Sequence, residues 1–541
     1  MNGIAAVRLA PDAAADVAPD PITFATCQLM ACGGDERIVL DPETGANRYG
    51  CGVQPDPDLA AFGSSTASVI SRPALLAAER LRHRLVDRVR GQGGPAVYAA
   101  ELSRVRRELS SLCGLDGLGA EVVVAPSGTD AHLYAALMVG DGGSRPPLVI
   151  GVEPAETGSG APAALACGPH AGEPGVGCEV VAVAVRDTDG RPRIPEEVDA
   201  IVIAKATAAA LQGRRVLLVL ADATKTGLIS PSVDCALVLK RSLPHAADVL
   251  VDACQFRLSP ATLRAYVEQG VWVAITGSKF LTGPSFSGAL LVPPDAAARL
   301  KNRPVPQALR GYAAKADWPE GWSTAEGLDD QSNFGLLLRW EAALEELRRF
   351  RRLDESAFAA FARTFGAAVA DRIATDPRLE RLAGRPLDRG ALSPGDSWDA
   401  CPTIFPFLLC GEYAEPACWL GPDEARQVYL LLRKDLGGWA RAAGVADPAN
   451  VASFRVQLGQ PVACSAPDGS PSAALRLCLD ARLAGEALGA PAGAAAVLER
   501  ARKALAKASW LAGLVAEGRA PQPALAAARN MASKASNTLR I

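Results

Sequence analysis

Two periods of apolar spacing divide the chain. The first 25 residues are rich in Ala, Asp and Pro and read as a mobile arm, and residues 26–72 mix Gly, Cys and Ser around Tyr49 and Phe62 with no period at all. From Pro73 the runs ALLAAERLRHRLVDRVR and AVYAAELSRVRRELSSLCGL place apolar residues at i, i+3, i+4 and i+7, which predicts two amphipathic helices. The period then shortens. Apolar, β-rich runs follow at EVVVA (121–125), PLVIGV (147–152), EVVAVAV (179–185), VLLVLAD (216–222), DVLVDAC (248–254), VWVAIT (271–276) and GALLVP (288–293), most of them separated by helix-length segments. Unbroken apolar strands alternating with helices predict an α/β fold with a mostly parallel, seven-stranded sheet covered on both faces. Beyond residue 300 come long helical stretches, FGLLLRWEAALEELRRFRRLDESAFAAFARTF and EARQVYLLLRKDLGGWARAAG, with strand candidates TIFPFLL, SFRVQL and ALRLCLD. The expected organisation is an N-terminal arm and entry segment (1–72), a large domain (73–305) and a smaller α+β C-terminal domain (306–541) with an Ala-rich helical tail from Pro491, broken at Pro521.

Composition narrows the class. At roughly 150 residues per domain, 541 residues hold two or three domains, and 49% hydrophobic with 21% charged residues is a globular balance. Lys plus Arg (56) against Asp plus Glu (59) gives a net charge of −3 without single-sign runs, so a nucleic-acid partner is not expected and a small molecule is. No stretch is long and apolar enough to span a membrane, and the opening residues lack a signal-peptide pattern; the expected compartment is the cytoplasm. Thirteen cysteines without a CxxC pair read as reduced core residues, and four histidines without metal-ligand spacing make a metal site unexpected.

Chemistry-bearing segments fall at the ends of predicted strands, where α/β sheets bind ligands. They are PSGTDAHL (126–133), DATKTGLISPS (222–232), VDACQFR (251–257) and ITGSKFLTGPSFSG (275–288). Lys279 ends an apolar strand, where partial burial lowers an ammonium pKa and frees the amine to attack an aldehyde. Asp252 closes another buried strand, and a buried carboxylate needs a cationic partner. Ser127, Gly128 and Thr129 follow a strand and open a helix, so their N–H groups and hydroxyls face an anion at the positive end of the helix dipole.

In this order the four segments resemble the class V aminotransferase and cysteine desulfurase group of fold-type-I pyridoxal-phosphate (PLP) enzymes, over roughly residues 60–300 and more weakly beyond. The resemblance implies PLP held as a Schiff base on Lys279, with Asp252 on the pyridinium nitrogen and Gln255 at the phenolic oxygen or the imine. It implies phosphate binding by Ser127, Gly128 and Thr129. Thr276 and Ser278 join them, because the family's Ser, any residue, His, Lys reads here Thr276-Gly277-Ser278-Lys279. DATKTG stands where the family has an Asn-Glu-Thr-Gly type sequence, leaving Thr224 for a cofactor oxygen. The family's ring-stacking His is missing; Glu156 and Thr157 occupy its place, and His170 in its Gly/Pro loop reads as structural.

For the substrate, an amino acid or amine, the resemblance implies a carboxylate clamp at Arg476, with Arg455 as second candidate. The first reading is an aminotransferase-type reaction that begins with loss of the α-proton to Lys279. Alternatives are a cysteine desulfurase or carbon–sulfur lyase with a mobile thiolate at Cys464, a decarboxylase, aldolase or specialised biosynthetic enzyme, and a PLP-free binding or scaffold protein. The resemblance also implies a homodimer, with the turn GPSFSG at the subunit seam. The loops FGSSTASVIS (62–71) and DWPEGWSTAEGLDDQSNFG (317–335) are expected to line the entrance.

Overall fold

The computed structural model describes residues 21–522, apart from 48, 64–67, 141–144, 159, 167–176, 307–308, 311–312, 394–396 and 412–417. His170, the first 20 residues and the end of the tail therefore lie outside the described residues, as does the middle of the 62–71 loop. All seven expected strands form: β1 Glu121–Ala125, β2 Leu148–Val152, β3 Glu179–Val183, β4 Val216–Asp222, β5 Ala247–Asp252, β6 Trp272–Thr276 and β7 Gly288–Val292. They lie in the order β3-β2-β4-β5-β6-β7-β1, with a two-residue strand, Ile229–Ser230, added to β4. Of the seven, only β7 runs against its neighbours β6 and β1, and the short Ile229–Ser230 strand runs against β4, so the sheet is mostly parallel, as its apolar runs predict.

Period-2 alternation splits each strand between two cores. Val122 and Val124 of β1 and Leu218 and Leu220 of β4 face one core, which continues into the helices α1 (Arg72–Gln92) and α2 (Gly94–Leu112). Val123, Leu217 and Val219 face the other, which is closed by α3 (Gly128–Val139). The loop 317–335 belongs to this second core rather than to an entrance. Trp318 and Trp322 are buried there, Trp318 stacks on Tyr134 at 5.7 Å, and Asp317 accepts from the Tyr98 hydroxyl at 2.8 Å. Its aromatic rings, not its polar residues, decide where it packs.

The long helical stretch after residue 333 is two helices, α4 Phe334–Phe350 and α5 Glu355–Ala374, because Asp354 caps the second by accepting from Ala357 N. A second, antiparallel sheet follows, ordered β8-β9-β11-β10: β8 Leu379–Arg381, β9 Ile404–Leu409, β10 Gly459–Ser465 and β11 Pro471–Cys478. The expected strand SFRVQL shrinks to Val456–Gln457, which pairs in parallel with Ala60–Ala61 and ties the entry segment to the C-terminal half. β10, with its Gly and Pro, does not read as a strand from its own composition. Its hairpin partner β11 supplies the pairing that its composition does not advertise.

Both halves share one apolar core that reaches Phe407, Leu475 and Leu505, the last on the C-terminal helix Gly493–Ala516. They are also locked by an ion pair. Asp222, at the end of β4, takes a two-pronged grip from Arg389 at 2.7 Å on each oxygen, and the Tyr266 hydroxyl donates to the same carboxylate at 2.8 Å. Both charged side chains are fully enclosed. Removing one partner of such a pair strands a charge without water, so Arg389→Met should lower stability by about 3–5 kcal/mol in equilibrium urea unfolding. A loss below about 1 kcal/mol, the scale of an exposed pair, contradicts this account.

Candidate active site

Three strand ends and one helix start converge. Asp252 closes β5, Lys279 follows β6 by three residues, the DATKTG turn follows β4, and α3 begins beside them at Gly128. Asp252 Oδ1 accepts from Cys254 N at 3.0 Å, and Oδ2 stands 3.3 Å from His132 Nε2. His132 Nδ1 lies 2.6 Å from Gly128 O, so the first turn of α3 aims the ring at the carboxylate. Burial alone would push the Asp252 carboxyl up. His132, the Lys279 ammonium and the Cys254 N–H outweigh it and hold the carboxyl far below the usual carboxylate range. Burial likewise pulls His132 down, yet Asp252 and the Gly128 carbonyl leave its pKa raised. Neither this pairing nor His132 itself was singled out in the sequence. With α3 starting at Gly128, the ring four residues on returns to the face of its first turn.

Lys279 is half-buried on a loop that its neighbours fix. Gly277 N donates to Ser287 O and Gly283 N to Gly277 O, both at 2.9 Å, and a Cβ on Gly277 would stand 2.4 Å from that of Ala343 on α4. The next residue, Phe280, stacks on Trp398 at 5.3 Å and meets Phe350 edge-on at 5.0 Å. Thr282, Phe286 and, after Asp252, Phe256 hold φ of 55°, 71° and 55°, the left-handed region that non-glycine residues enter at a cost.

At the start of α3, Ser127 caps the helix, accepting from Asp130 N at 3.2 Å. A Cβ on Gly128 would stand 2.7 Å from Thr276 Cγ2 and 2.8 Å from Cys254 Sγ, so glycine is what lets α3 sit against the end of β6. Thr276 donates to Cys254 O at 2.7 Å, and Ser278 is buried close by. The entry segment adds a residue that the sequence did not flag. Arg37 donates to Thr129 Oγ1 at 3.4 Å with its guanidinium 4.6 Å from the centre of the Phe286 ring. Beside it Asp130 puts a carboxyl in the first turn, but burial pushes its pKa up and Arg37 faces it.

Of the other expected residues, Thr157 lines a small cavity with His132, Gly151, Pro154 and Asp252. Gln255 is buried next to this group, and its carbonyl accepts from Phe280 N. Thr224 Oγ1 accepts from Leu228 N at 3.0 Å, which shapes its own turn. Glu156 is held by other side chains: Arg186 grips it at 2.7 Å and the Thr226 hydroxyl donates to it at 2.6 Å. Arg476, on β11, is buried and donates to Gln460 O at 2.9 Å and Lys225 O at 3.4 Å. Arg455 does not join this group, because its guanidinium is paired with Asp56. Cys464 lies on β10 opposite Ser472, not on a free loop, and burial pushes its thiol up.

No family model and no curated protein matches the chain. Among solved structures it is similar to a NifS-like protein, at 14% identity and a TM-score of 0.49, over 83% of this chain and 99% of that one. It is also similar to the cysteine desulfurase CsdA from Escherichia coli, at 14% and 0.48, over 82% and 94%. A third is Oryza sativa TDC with PLP and tryptamine, at 14% and 0.47, over 83% of each chain. No helix among the described residues is long and apolar enough to cross a membrane.

The His132–Asp252 pair makes a prediction that needs no ligand. In Asp252→Asn the counter-charge is gone, leaving burial and the nearby Lys279 opposed only by the Gly128 carbonyl, so the His132 titration followed by NMR should move down by about one pH unit or more. An unchanged titration contradicts the pairing.

Proposed function

We propose that the protein is a PLP-dependent enzyme that acts on an amino acid in an aminotransferase-type reaction, with Lys279 as its catalytic residue. The observation that carries this reading is the largely buried, ionised Asp252 at one strand end beside Lys279 at the next. Burying a charge demands a cation, and His132 at 3.3 Å is the one ion-pair partner of this carboxylate among the described residues. A protonated pyridine nitrogen fits that demand. The Lys279 amine, off a strand end, can condense with an aldehyde once it has given up its proton, and a glycine-tight helix start with Thr276, Ser278 and the Asp35-paired Arg37 around it fits a phosphate. Bound here, PLP would supply an electron sink for the pair left when a bond at the substrate α-carbon breaks.

The chain's own groups supply the rest. With PLP bound, Asp252, kept ionised by His132, would hold a proton on the pyridine nitrogen, Gly128 and Thr129 would present N–H groups to the phosphate, and Gln255 would serve the phenolic oxygen or the imine. The Lys279 amine is the base that takes the α-proton. Arg476 grips the substrate carboxylate, which favours keeping that group over releasing it as carbon dioxide. The thiolate route is the weaker reading, since Cys464 sits in a paired strand with its thiol pushed up. A homodimer belongs to the same reading, with the turn GPSFSG (283–288) near the seam.

The test follows α-hydrogen exchange into deuterated water across a panel of amino acids. The PLP-loaded protein should exchange the α-hydrogen of its substrate, Lys279→Ala should slow this by about 10²-fold or more, and Cys464→Ser should leave it within about twofold. Exchange that survives in Lys279→Ala, or turnover that vanishes in Cys464→Ser with L-cysteine as substrate, overturns the reading.

A further inference from the structure

The turn after β4 carries a lysine that the reaction above does not use. In Thr224-Lys225-Thr226 both hydroxyls are engaged, Thr224 with Leu228 N and Thr226 with Glu156. Lys225 is pinned through its backbone: its N–H donates to Glu156 O at 2.8 Å, and its carbonyl accepts from Arg476 Nη1 at 3.4 Å. Among the described residues the ammonium reaches only Pro154 O, at 3.5 Å, the outer limit of a hydrogen bond. Pro154 lines the same small cavity as Asp252 and Thr157, so Lys225 borders the candidate active site.

The charge balance around it is unusual. Facing Lys225 are Arg476 from β11, Lys279 from the loop after β6, and Glu156 from the loop after β2. Glu156 is the single carboxylate of the set, and Arg186 and Thr226 already hold it. If Lys279 is committed to the cofactor and Arg476 to the α-carboxylate, one cation is left facing the substrate. We infer that Lys225 is a specificity-determining residue that binds a second anionic group, so that the substrate is an amino acid with an anionic side chain. This deepens the proposed function and rests on it. Burial, with Arg476 and Lys279 close by, brings the Lys225 pKa down to about 8. Lys225 therefore carries its charge at neutral pH and loses it as pH rises through about 8, and the grip on the second anion weakens over the same range.

The experiment uses unreactive anions on the PLP-loaded protein: succinate and glutarate against propionate, by isothermal titration calorimetry from pH 6.5 to 9.5. The expected result is that a dicarboxylate binds about tenfold or more tightly than propionate at pH 7, an advantage that fades above pH 8. Lys225→Met should lose the advantage while keeping propionate binding, and Lys225→Arg should keep it with the step near pH 8 removed. Equal binding of both anion types by the native protein, or an undiminished advantage in Lys225→Met with a native melting temperature, overturns the inference. The borohydride-fixed cofactor adduct, read by mass on the same samples, reports on the PLP reading separately. If no adduct forms, that reading fails, and the anion comparison, repeated without cofactor, still decides whether Lys225 and Arg476 form a two-anion site.

Discussion

A carboxylate kept ionised inside a sheet is the constraint on which this site depends. Asp252 ends a strand flanked by β4 and β6, where an unpaired charge is costly enough that an isolated carboxyl would take up a proton instead. It stays charged because three elements converge on it: its own strand turn through the Cys254 N–H, α3 through His132, and the loop after β6 through Lys279. The glycine at 128 matters in the same way. It brings the start of α3 onto the ends of β5 and β6, which sets the aim of His132.

The surrounding fold reads as support for those few atoms. Lys279 hangs from a loop closed by Gly277 and Gly283, buttressed by Ala343 and followed at once by a ring in the stack of Phe280, Phe350 and Trp398. Those partners come from the C-terminal half, as do Arg476 and, through Asp222, Arg389. The site is thus a joint property of the two sheets, and the buried Asp222–Arg389 pair holds their relation fixed. The left-handed Phe256, Thr282 and Phe286 are strain that a well-packed surround tolerates near chemistry.

Much of this was legible in the chain. A parallel sheet buried on both faces writes itself as unbroken apolar runs, and all seven strands appeared where those runs fall. The positions of Lys279, Asp252, Gly128 and Thr276 at strand and helix ends were legible because each sits within a few residues of such a boundary. What the sequence hid was either non-local or compositionally disguised. The Glu156–Arg186 clamp joins residues with no local signal between them, and it engages the side chain that stands at the place of the missing histidine in the sequence. β10 was hidden by its Gly and Pro, and with it the fact that Cys464 lies in a ladder. Arg37 lies in an aperiodic segment that gave no reason to look there, and Arg455 looked like a clamp until Asp56, far away in sequence, claimed it.

The central claim is that the paired strand ends of Asp252 and Lys279 form a PLP site. The most direct measurement loads the purified protein with PLP, fixes it with borohydride and maps the mass increment by peptide sequencing. The account predicts one phosphopyridoxyl group per chain, on Lys279, and none in Lys279→Ala. A stable adduct on the neighbouring Lys225, or no stoichiometric adduct at all, would contradict it.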